Sequence, residues 1–273
     1  MQEKPDSFWP AAWIDPSGQR CEKPRTRGLT MVIDKGTGLA SYCDLLEMGS
    51  PYIDICKLGF GTSALYPPAL LRRKLEIAKD YGLQIMPGGT FFEIAKRRSC
   101  ASEYMKQLLN LGFNAVEISD GTFPLSPSER QEAIVCGVES GLAVFTEFGK
   151  KASHFRAERD ELLQTLEADL CAGASYVIVE ARESGTVGVF DCNGQIDSGF
   201  VEEIVQAAGD LRHKLIWEAP QKEQQVFFLQ ALGNDVNLGN IACADVLSLE
   251  TLRRGLRGDT AVECDLGRKT SCE

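Results

Sequence analysis

The chain has 273 residues, of which 44% are hydrophobic and 25% are charged, and its formal net charge is −10. The composition is typical of a globular protein, and the length fits a single α/β barrel. Affinity for nucleic acids and for anionic membranes comes from clustered Lys and Arg, so the negative charge argues against both partners. A small anionic ligand stays open, because a few local cations can outweigh the global field.

The ten cysteines include no C-x-x-C pair, and the only histidines are His154 and His213. A zinc site is therefore not expected. Cysteines within apolar patterns, such as Cys56 and Cys171, behave as small hydrophobic residues, which favours a reduced, cytoplasmic protein over a disulfide scaffold. The first residues show no signal-peptide pattern, and no apolar run approaches the ~20 residues of a membrane helix.

The two ends of the chain differ from the rest in composition. Residues 1–26 contain four prolines together with Trp9 and Trp13, which indicates an irregular N-terminal arm that docks on another surface. Residues 261–273 form a polar C-terminal tail. No Ser/Gly-rich linker separates the two ends, so we predict one catalytic domain over residues 27–260.

Between the ends, eight short runs rich in β-branched residues alternate with helical patterns. The predicted strands are Leu29–Asp34, Tyr52–Gly59, Leu83–Gly88, Ala115–Asp120, Ala143–Phe148, Tyr176–Arg182, Leu215–Ala219 and Val236–Leu238. The predicted helices include Ala69–Tyr81, Ala101–Leu111, Ser128–Ser140, Ala157–Ala172, Gly199–Ala208 and Gln221–Leu232. Five of them are followed by a glycine suited to a left-handed cap: Gly82, Gly112, Gly141, Gly173 and Gly233. Ser128 with Gln131 also predicts a capping box.

This alternation, at about 30 residues per unit, indicates a parallel sheet with crossover helices. With eight strands, closure into a single (β/α)8 TIM barrel is the favoured architecture. An open, doubly wound sheet is the alternative. It favours a G-x-G-x-x-G turn after the first strand, whereas the sequence there reads D-K-G-T-G-L-A.

Charged residues stand at the carboxyl ends of several predicted strands. Because side chains alternate along a strand, each charge shares a face with apolar or small residues before it. The residues that share such faces are Thr30, Val32 and Asp34; Ile53, Ile55 and Lys57; Ala115, Glu117 and Ser119; Phe145 and Glu147; Ile178, Glu180 and Arg182; and Ile216 and Glu218. If these faces point into a barrel, the acids meet Lys57, Lys150, Lys151 and Arg182 at its mouth.

Such a ring of charges needs partners, because burial of one unpaired charge is costly. Carboxylates from successive strands, without His or Cys pairs, suit a hard cation such as Mg²⁺. The candidate metal ligands are Glu117, Glu147, Glu180, Glu218 and Asp34. Two alternatives stay open: a self-satisfied network of salt bridges, and charges that face the helices.

Two glycine-rich turns supply candidate anion sites, because bare backbone N–H groups can bind phosphate, sulfonate or carboxylate. The first follows the second strand and contributes Gly61, Thr62 and Ser63; the second follows the third strand and contributes Gly88 and Gly89. Together with Lys151, these are the candidate substrate-binding residues. With Lys57 nearby, the pattern predicts a metal-assisted enzyme for a small, multiply anionic substrate.

A basic turn over Thr251–Thr260 either holds a phosphate after the eighth strand or forms a subunit contact. A closed homo-oligomer is the default expectation for the assembly.

Several long strings resemble the phosphosulfolactate synthase family over roughly residues 25–260. They include R-G-L-T at Arg27–Thr30, K-L-G-F-G-T-S-A at Lys57–Ala64, P-G-G-T at Pro87–Thr90, A-V-E-I-S-D-G at Ala115–Gly121, T-E-F-G-K-K at Thr146–Lys151, V-E-A-R-E-S-G at Val179–Gly185 and E-A-P-Q-K at Glu218–Lys222.

The resemblance implies a (β/α)8 barrel that uses Mg²⁺ to add sulfite to carbon 3 of phosphoenolpyruvate, giving (2R)-phospho-3-sulfolactate. It implies that Lys150, in the T-E-x-G-K-K string, is the general acid for carbon 2, a role that nearby carboxylates favour. Lys57 and Arg182 complete the candidate catalytic set by holding phosphate or sulfite. The product would leave as sulfolactate or feed coenzyme M synthesis.

Two other functions stay open. The family name also covers plant heat-stress-associated relatives, so one alternative is a stress-associated or scaffold barrel without this chemistry. The other is an enzyme for a related enolpyruvyl or sulfonate substrate. The charged strand ends favour an enzyme, because a scaffold gains nothing from them.

Overall fold

The computed structural model describes residues 8–149, 158–181 and 196–261. Eight parallel strands form one sheet: β1 Thr30–Asp34, β2 Ile55–Leu58, β3 Gln84–Pro87, β4 Ala115–Ile118, β5 Ala143–Phe148, β6 Tyr176–Val179, β7 Leu215–Glu218 and β8 Asn237–Ala242. Their hydrogen-bonded order is β3-β2-β1-β8-β7-β6-β5-β4. The predicted TIM barrel is therefore confirmed.

The strands β3 and β4 are the two ends of this order, and a side chain joins them. Asn114, directly before β4, accepts a hydrogen bond from Ile85 N (2.7 Å) and donates one to Leu83 O (2.9 Å). Leu83 and Ile85 lie at β3, so this amide takes the place of backbone hydrogen bonds between β3 and β4. We call this junction, where the sheet closes into a barrel, the seam.

The helices of the described residues surround this sheet. They are α1 Ala11–Ile14, α2 Leu39–Gly49, α3 Pro68–Asp80, α4 Gly89–Lys96, α5 Ala101–Leu111, α6 Pro127–Glu139, α7 Arg159–Cys171, α8 Ser198–Ala208, α9 Lys222–Leu232 and α10 Val246–Arg253. All five predicted cap glycines have positive φ. The predicted capping box was wrong by two residues: Ser126, not Ser128, caps α6 and pairs with Glu129. No helix in the described ranges is long and apolar enough to cross a membrane.

Apolar side chains fill the lower part of the barrel, and on five strands, β2, β4, β5, β6 and β7, they lie on the predicted faces. This inner cluster contains Leu29, Met31, Ile55, Met86, Ala115, Phe145, Tyr176, Ile178 and Ile216. The alternate residues of the same strands pack outward under the helices in two further clusters. The charges that follow the inner residues therefore project into the barrel near its carboxyl end.

The prediction for β1 was wrong by one residue. Met31 belongs to the inner cluster, whereas Val32 packs in the outer cluster beneath the helices. Asp34 shares the face of Val32 and forms a fully buried ion pair with Lys74 of α3. It lies apart from the other predicted metal ligands, because its strand alternates in the opposite register to the one expected.

The described part of the N-terminal arm docks on the amino-terminal end of the barrel. Arg20 pairs with Glu250 (3.0 Å), and Arg25 pairs with Asp54 (3.0 Å). Lys23 Nζ donates to the carbonyl oxygens of Ser50 and Ile53. Docking was expected through the tryptophans, but cationic side chains hold the arm, while Trp9 and Trp13 stay largely exposed. The domain boundaries at residues 26 and 260 stay a prediction.

The basic turn after α10 lies at this same end. Arg253 is fully buried and donates to the carbonyl oxygens of Asn234, Val236 and Leu29. Arg254 pairs with Glu250. The phosphate-binding alternative for this turn was wrong, because helices run back from the mouth and α10 ends at the opposite end of the barrel.

The buried Asp34–Lys74 pair generates a prediction for stability. Burial opposes the charge of Asp34, but hydrogen bonds from Lys74, Thr37 N and Gly36 N outweigh it and lower the pKa of the carboxyl. Lys74→Met leaves this carboxylate uncompensated, so the free energy of unfolding should fall by about 3–5 kcal/mol in urea denaturation at pH 7. The double variant Asp34→Asn/Lys74→Met should recover part of the loss.

The Asp34–Lys74 pair also determines the direction in which folding stability changes with pH. Because the pKa of Asp34 is lower in the folded state, its contribution is complete above about pH 3.9 and is lost as the pH falls through the folded pKa. The wild-type chain should therefore lose more stability in acid than the double variant. Equal acid sensitivity of the two would contradict this assignment.

Candidate active site

The carboxyl mouth of the barrel brings together charges from five strands. Lys57 of β2 lies 2.9 Å from Glu218 Oε1 and 3.3 Å from Glu117 Oε1, measured from its Nζ atom. Glu147 and Glu180 complete the group, and all five side chains are buried. The alternation of residues along β2, β4, β5, β6 and β7 places them on the inner face, as the sequence predicts.

The electrostatics of this group favour a charged Lys57. Burial works against the ammonium, but the carboxylates of Glu117, Glu218, Glu147 and Glu180 outweigh it and raise the pKa of Lys57 well above its usual value. Lys57 is therefore a fixed positive charge of the site. The ammonium offsets part of the negative charge of the surrounding carboxylates.

Three of the glutamates have the geometry of a cation site. One carboxylate oxygen from each of Glu147, Glu180 and Glu218 lies within 4.8 Å of the others, and all three residues are buried. A donor set of oxygens alone suits a hard cation such as Mg²⁺. Glu117 lies beside this triad, but its oxygens accept hydrogen bonds from Lys57 and from Gly89 N.

Hydrogen bonds from neighbouring groups orient these carboxylates. Glu218 Oε2 accepts a hydrogen bond from Ala181 N (3.0 Å). The hydroxyl of Ser119 lies 2.7 Å from Glu147 Oε1 and 2.7 Å from Glu93 Oε1. Ser119 therefore links the triad to Glu93 of α4, which also accepts from the backbone of the loop after β4. Sequence reasoning gave Glu93 no role, although it stands three residues after the P-G-G-T turn.

Arg130 of α6 is a second residue that sequence reasoning missed. Its guanidinium binds Asp169 and Asp120 and donates to the backbone oxygen of Glu147 at 3.0 Å. The buried guanidinium therefore fixes the carboxyl end of β5, from which Glu147 projects. In the sequence it is one charge in a polar helix, and nothing marks it as buried.

The glycines of the second predicted anion turn have a different role. Gly88 N donates to Leu58 O and Gly89 N donates to Glu117 Oε2, so both N–H groups already have protein acceptors. A Cβ atom at Gly89 would lie 2.5 Å from Ser119 Cβ and 3.2 Å from Glu117 Cγ. The predicted anion cradle is therefore wrong for these two N–H groups: the turn is glycine-rich because the site packs against it.

The first predicted turn keeps groups available for a ligand. Phe60 and Gly61 both adopt left-handed backbone angles, with φ of 55° and 67°. The hydroxyl oxygens of Thr62 and Ser63 are buried and have no hydrogen-bond partner in the part of the chain that the structure describes. Buried polar groups are normally paired, so two orphan hydroxyls in one turn at the mouth indicate that a ligand satisfies them. The substrate-binding role of this turn stays a prediction.

Three further predicted residues, Lys150, Lys151 and Arg182, lie outside the described residues. They follow Gly149 and Ala181, the last described residues after β5 and β6. Their roles therefore stay predictions that rest on sequence.

A barrel with buried acids and a fixed lysine at its carboxyl mouth is the arrangement of a TIM-barrel enzyme. The profile of the family described as (2R)-phospho-3-sulfolactate synthase (ComA) matches residues 18–259. The chain belongs to this family, and the resemblance read from the sequence is confirmed.

Named relatives agree with this assignment. A phosphosulfolactate synthase of Methanothermobacter thermautotrophicus is 42% identical over 90% of this chain and 96% of its own length. One of Methanocaldococcus jannaschii is 44% identical over 86% of this chain and 94% of its own length. The protein Heat-stress-associated 32 of Arabidopsis thaliana is 21% identical over 86% of this chain and 88% of its own length.

Solved structures match at the level of the fold. The YdjI aldolase of Escherichia coli superposes with a TM-score of 0.55 over 88% of this chain and 89% of that chain, at 12% identity. A 3-hexulose-6-phosphate synthase gives a TM-score of 0.54 over 82% of this chain and 98% of that chain, at 14% identity.

The ion pairs of Lys57 generate a prediction for the site. Lys57→Met leaves Glu117 and Glu218 buried without their cation, so the free energy of unfolding should fall by about 3–5 kcal/mol in denaturant titration. Lys96→Met is a matched control, because Lys96 pairs with Glu129 at the surface at 3.5 Å. The control should lose less than about 1 kcal/mol. Similar losses in both variants would contradict the assignment.

The close packing of Gly89 generates a second prediction. Gly89→Ala places a methyl group against Ser119 and Glu117, which should cost about 1–3 kcal/mol of folding stability. Gly258→Ala is the control, because a Cβ atom there meets no atom within 4 Å. Thermal melting of both variants tests the difference, and an unchanged melting temperature for Gly89→Ala would show that the site yields to the methyl group.

Proposed function

We propose that the chain catalyses the Mg²⁺-dependent addition of sulfite to phosphoenolpyruvate, giving (2R)-phospho-3-sulfolactate. The observation that carries the proposal is the buried triad of Glu147, Glu180 and Glu218 at the mouth of a barrel that belongs to the phosphosulfolactate synthase family. The triad offers the oxygen ligands that Mg²⁺ prefers. The orphan hydroxyls of Thr62 and Ser63 support an anionic substrate beside it.

The reaction forms one bond to sulfur and one to hydrogen. The sulfur lone pair of sulfite attacks carbon 3 of phosphoenolpyruvate, and the electrons of the carbon–carbon double bond move toward carbon 2 and the carboxylate. Carbon 2 then takes up one proton, and the phosphate ester stays intact. A bound Mg²⁺ supplies stabilisation of the negative charge that grows on the substrate carboxylate.

Residues of the chain supply charge compensation, substrate binding and proton transfer. The Lys57 ammonium, held charged by its carboxylate neighbours, offsets the charge of the substrates in the mouth. The hydroxyls of Thr62 and Ser63 donate hydrogen bonds to phosphate or sulfonate oxygens. Lys150 protonates carbon 2, and Arg182 binds phosphate or sulfite; both roles rest on the family resemblance.

Two observations weigh against the alternatives. The chain is 42% and 44% identical to two synthases but 21% identical to the heat-stress-associated protein, which favours the enzyme over a stress-associated barrel. Three buried carboxylates that converge at the mouth also favour an enzyme with a bound cation over a scaffold, because ionised groups are costly to bury. An enzyme for a related enolpyruvyl or sulfonate substrate would use the same triad, so product analysis separates it.

The proposal is tested by direct assay of the purified chain. Phosphoenolpyruvate, sulfite and Mg²⁺ should yield phosphosulfolactate in phosphorus NMR spectra, and EDTA should abolish the product. If the chain binds the cation but forms no product, the result would favour an enzyme for a related enolpyruvyl or sulfonate substrate. If the chain forms no product and binds no cation, the result would favour the scaffold.

The role of Lys150 has its own test. Lys150→Ala removes the general acid, so the turnover rate should fall by roughly 100- to 10,000-fold while the circular dichroism spectrum stays unchanged. Lys96→Ala, a substitution at a partly exposed lysine of α4, is the matched control and should keep the wild-type rate. Full activity of Lys150→Ala would remove the assignment.

A further inference from the structure

The last strand of the barrel contains a bulge next to the candidate site. Thr30 of β1 pairs with Leu238 of β8, and Val32 pairs with Ile241. One residue of β1 therefore lies opposite two residues of β8, Gly239 and Asn240. Asn240 has a φ of 54°, and it shares a left-handed conformation with Phe60 alone among the described non-glycine residues. Bulges and strained residues of this kind concentrate at functional sites.

The residues that flank the bulge on β8 indicate that it lies on the inner side of the strand. Leu238 and Ile241 both pack in the outer cluster, so the two residues between them take the inner position that alternation leaves. At Gly239, an added Cβ atom would lie 2.6 Å from Met31 Cε, which belongs to the inner cluster. Gly239 pairs with Glu218 of β7. Asn240 follows Gly239 by one residue toward the carboxyl end of β8, which is the end of the barrel where the glutamate triad lies.

The side-chain oxygen of Asn240 is a buried acceptor for which the described residues supply no hydrogen-bond donor. The residue is only 6% exposed, and within the described ranges its Oδ1 atom accepts no hydrogen bond. Two other asparagines of the barrel show the usual behaviour: the amides of Asn114 and Asn237 bind backbone groups through both their oxygen and their nitrogen. A buried acceptor in a strained residue costs stability, unless a ligand that binds there satisfies it.

We propose that Asn240 Oδ1 is a neutral oxygen ligand of the cation that Glu147, Glu180 and Glu218 hold; this rests on the proposed function. An orphan acceptor is satisfied by a cation or a donor and not by an anion. Lys57, the ammonium of the described part of the mouth, already binds two glutamates. Amide oxygens join carboxylates in the oxygen shells of hard cations, so the side chain of Asn240 suits the set.

The strain at Asn240 separates this role from a structural one. Asn240→Gly removes the amide oxygen and also relieves the left-handed conformation, so the melting temperature should hold or rise. Its affinity for Mn²⁺, measured by isothermal titration calorimetry, should nevertheless fall roughly tenfold or more. Asn240→Asp keeps the size, the oxygen and the tolerance for positive φ, and it should bind Mn²⁺ at least as tightly as the wild-type chain.

Controls make the outcomes distinct. Asn110→Asp adds the same charge at an exposed position of α5 and should leave the affinity unchanged. Wild-type affinity in Asn240→Gly would overturn the inference, and so would an affinity for Asn240→Asp as weak as that of Asn240→Gly. In both cases the wild-type chain still binds Mn²⁺, and the proposed function stands. If the wild-type chain binds no Mn²⁺, the metal dependence of the proposed function fails together with the inference.

Discussion

The ammonium of Lys57, buried between Glu117 and Glu218, is the interaction on which the mouth of the barrel depends. Four glutamates project inward from four neighbouring strands, and without a cation their repulsion would oppose closure of the sheet. Lys57 reaches them from β2, across the barrel interior. Within the described residues, the protein thus supplies a positive charge of its own to the group of glutamates.

The position of each inner side chain could be predicted from the sequence for most strands. Glu117, Glu147, Glu180 and Glu218 follow apolar residues at a period of two, and the structure places them on the inner face. The same rule failed for Asp34, because β1 is apolar on both faces and a period of two cannot choose between them. Its true partner, Lys74, lies in a helix forty residues further along the chain.

The rest of the site could not be predicted because it depends on distant contacts. Arg130 and Glu93 act through hydrogen bonds to loops and strands that only the folded chain brings near. Gly88 and Gly89 resemble an anion cradle in sequence, yet their N–H groups are occupied. The bulge at Gly239–Asn240 is a property of the pairing between β1 and β8, and a single strand gives no sign of it.

The seam between β3 and β4 has a further consequence. Asn114 joins the two strands at one end, and the hydrogen bond from Gly89 N to Glu117 joins them at the other. Seven pairs of neighbouring strands are joined by backbone hydrogen bonds, which do not depend on the side chains. The eighth pair, β3 and β4, is joined by the side chains of Asn114 and Glu117. A single substitution can therefore weaken the closure of the barrel at this junction. Glu117 thus helps to hold β3 and β4 together and also pairs with Lys57 in the candidate site.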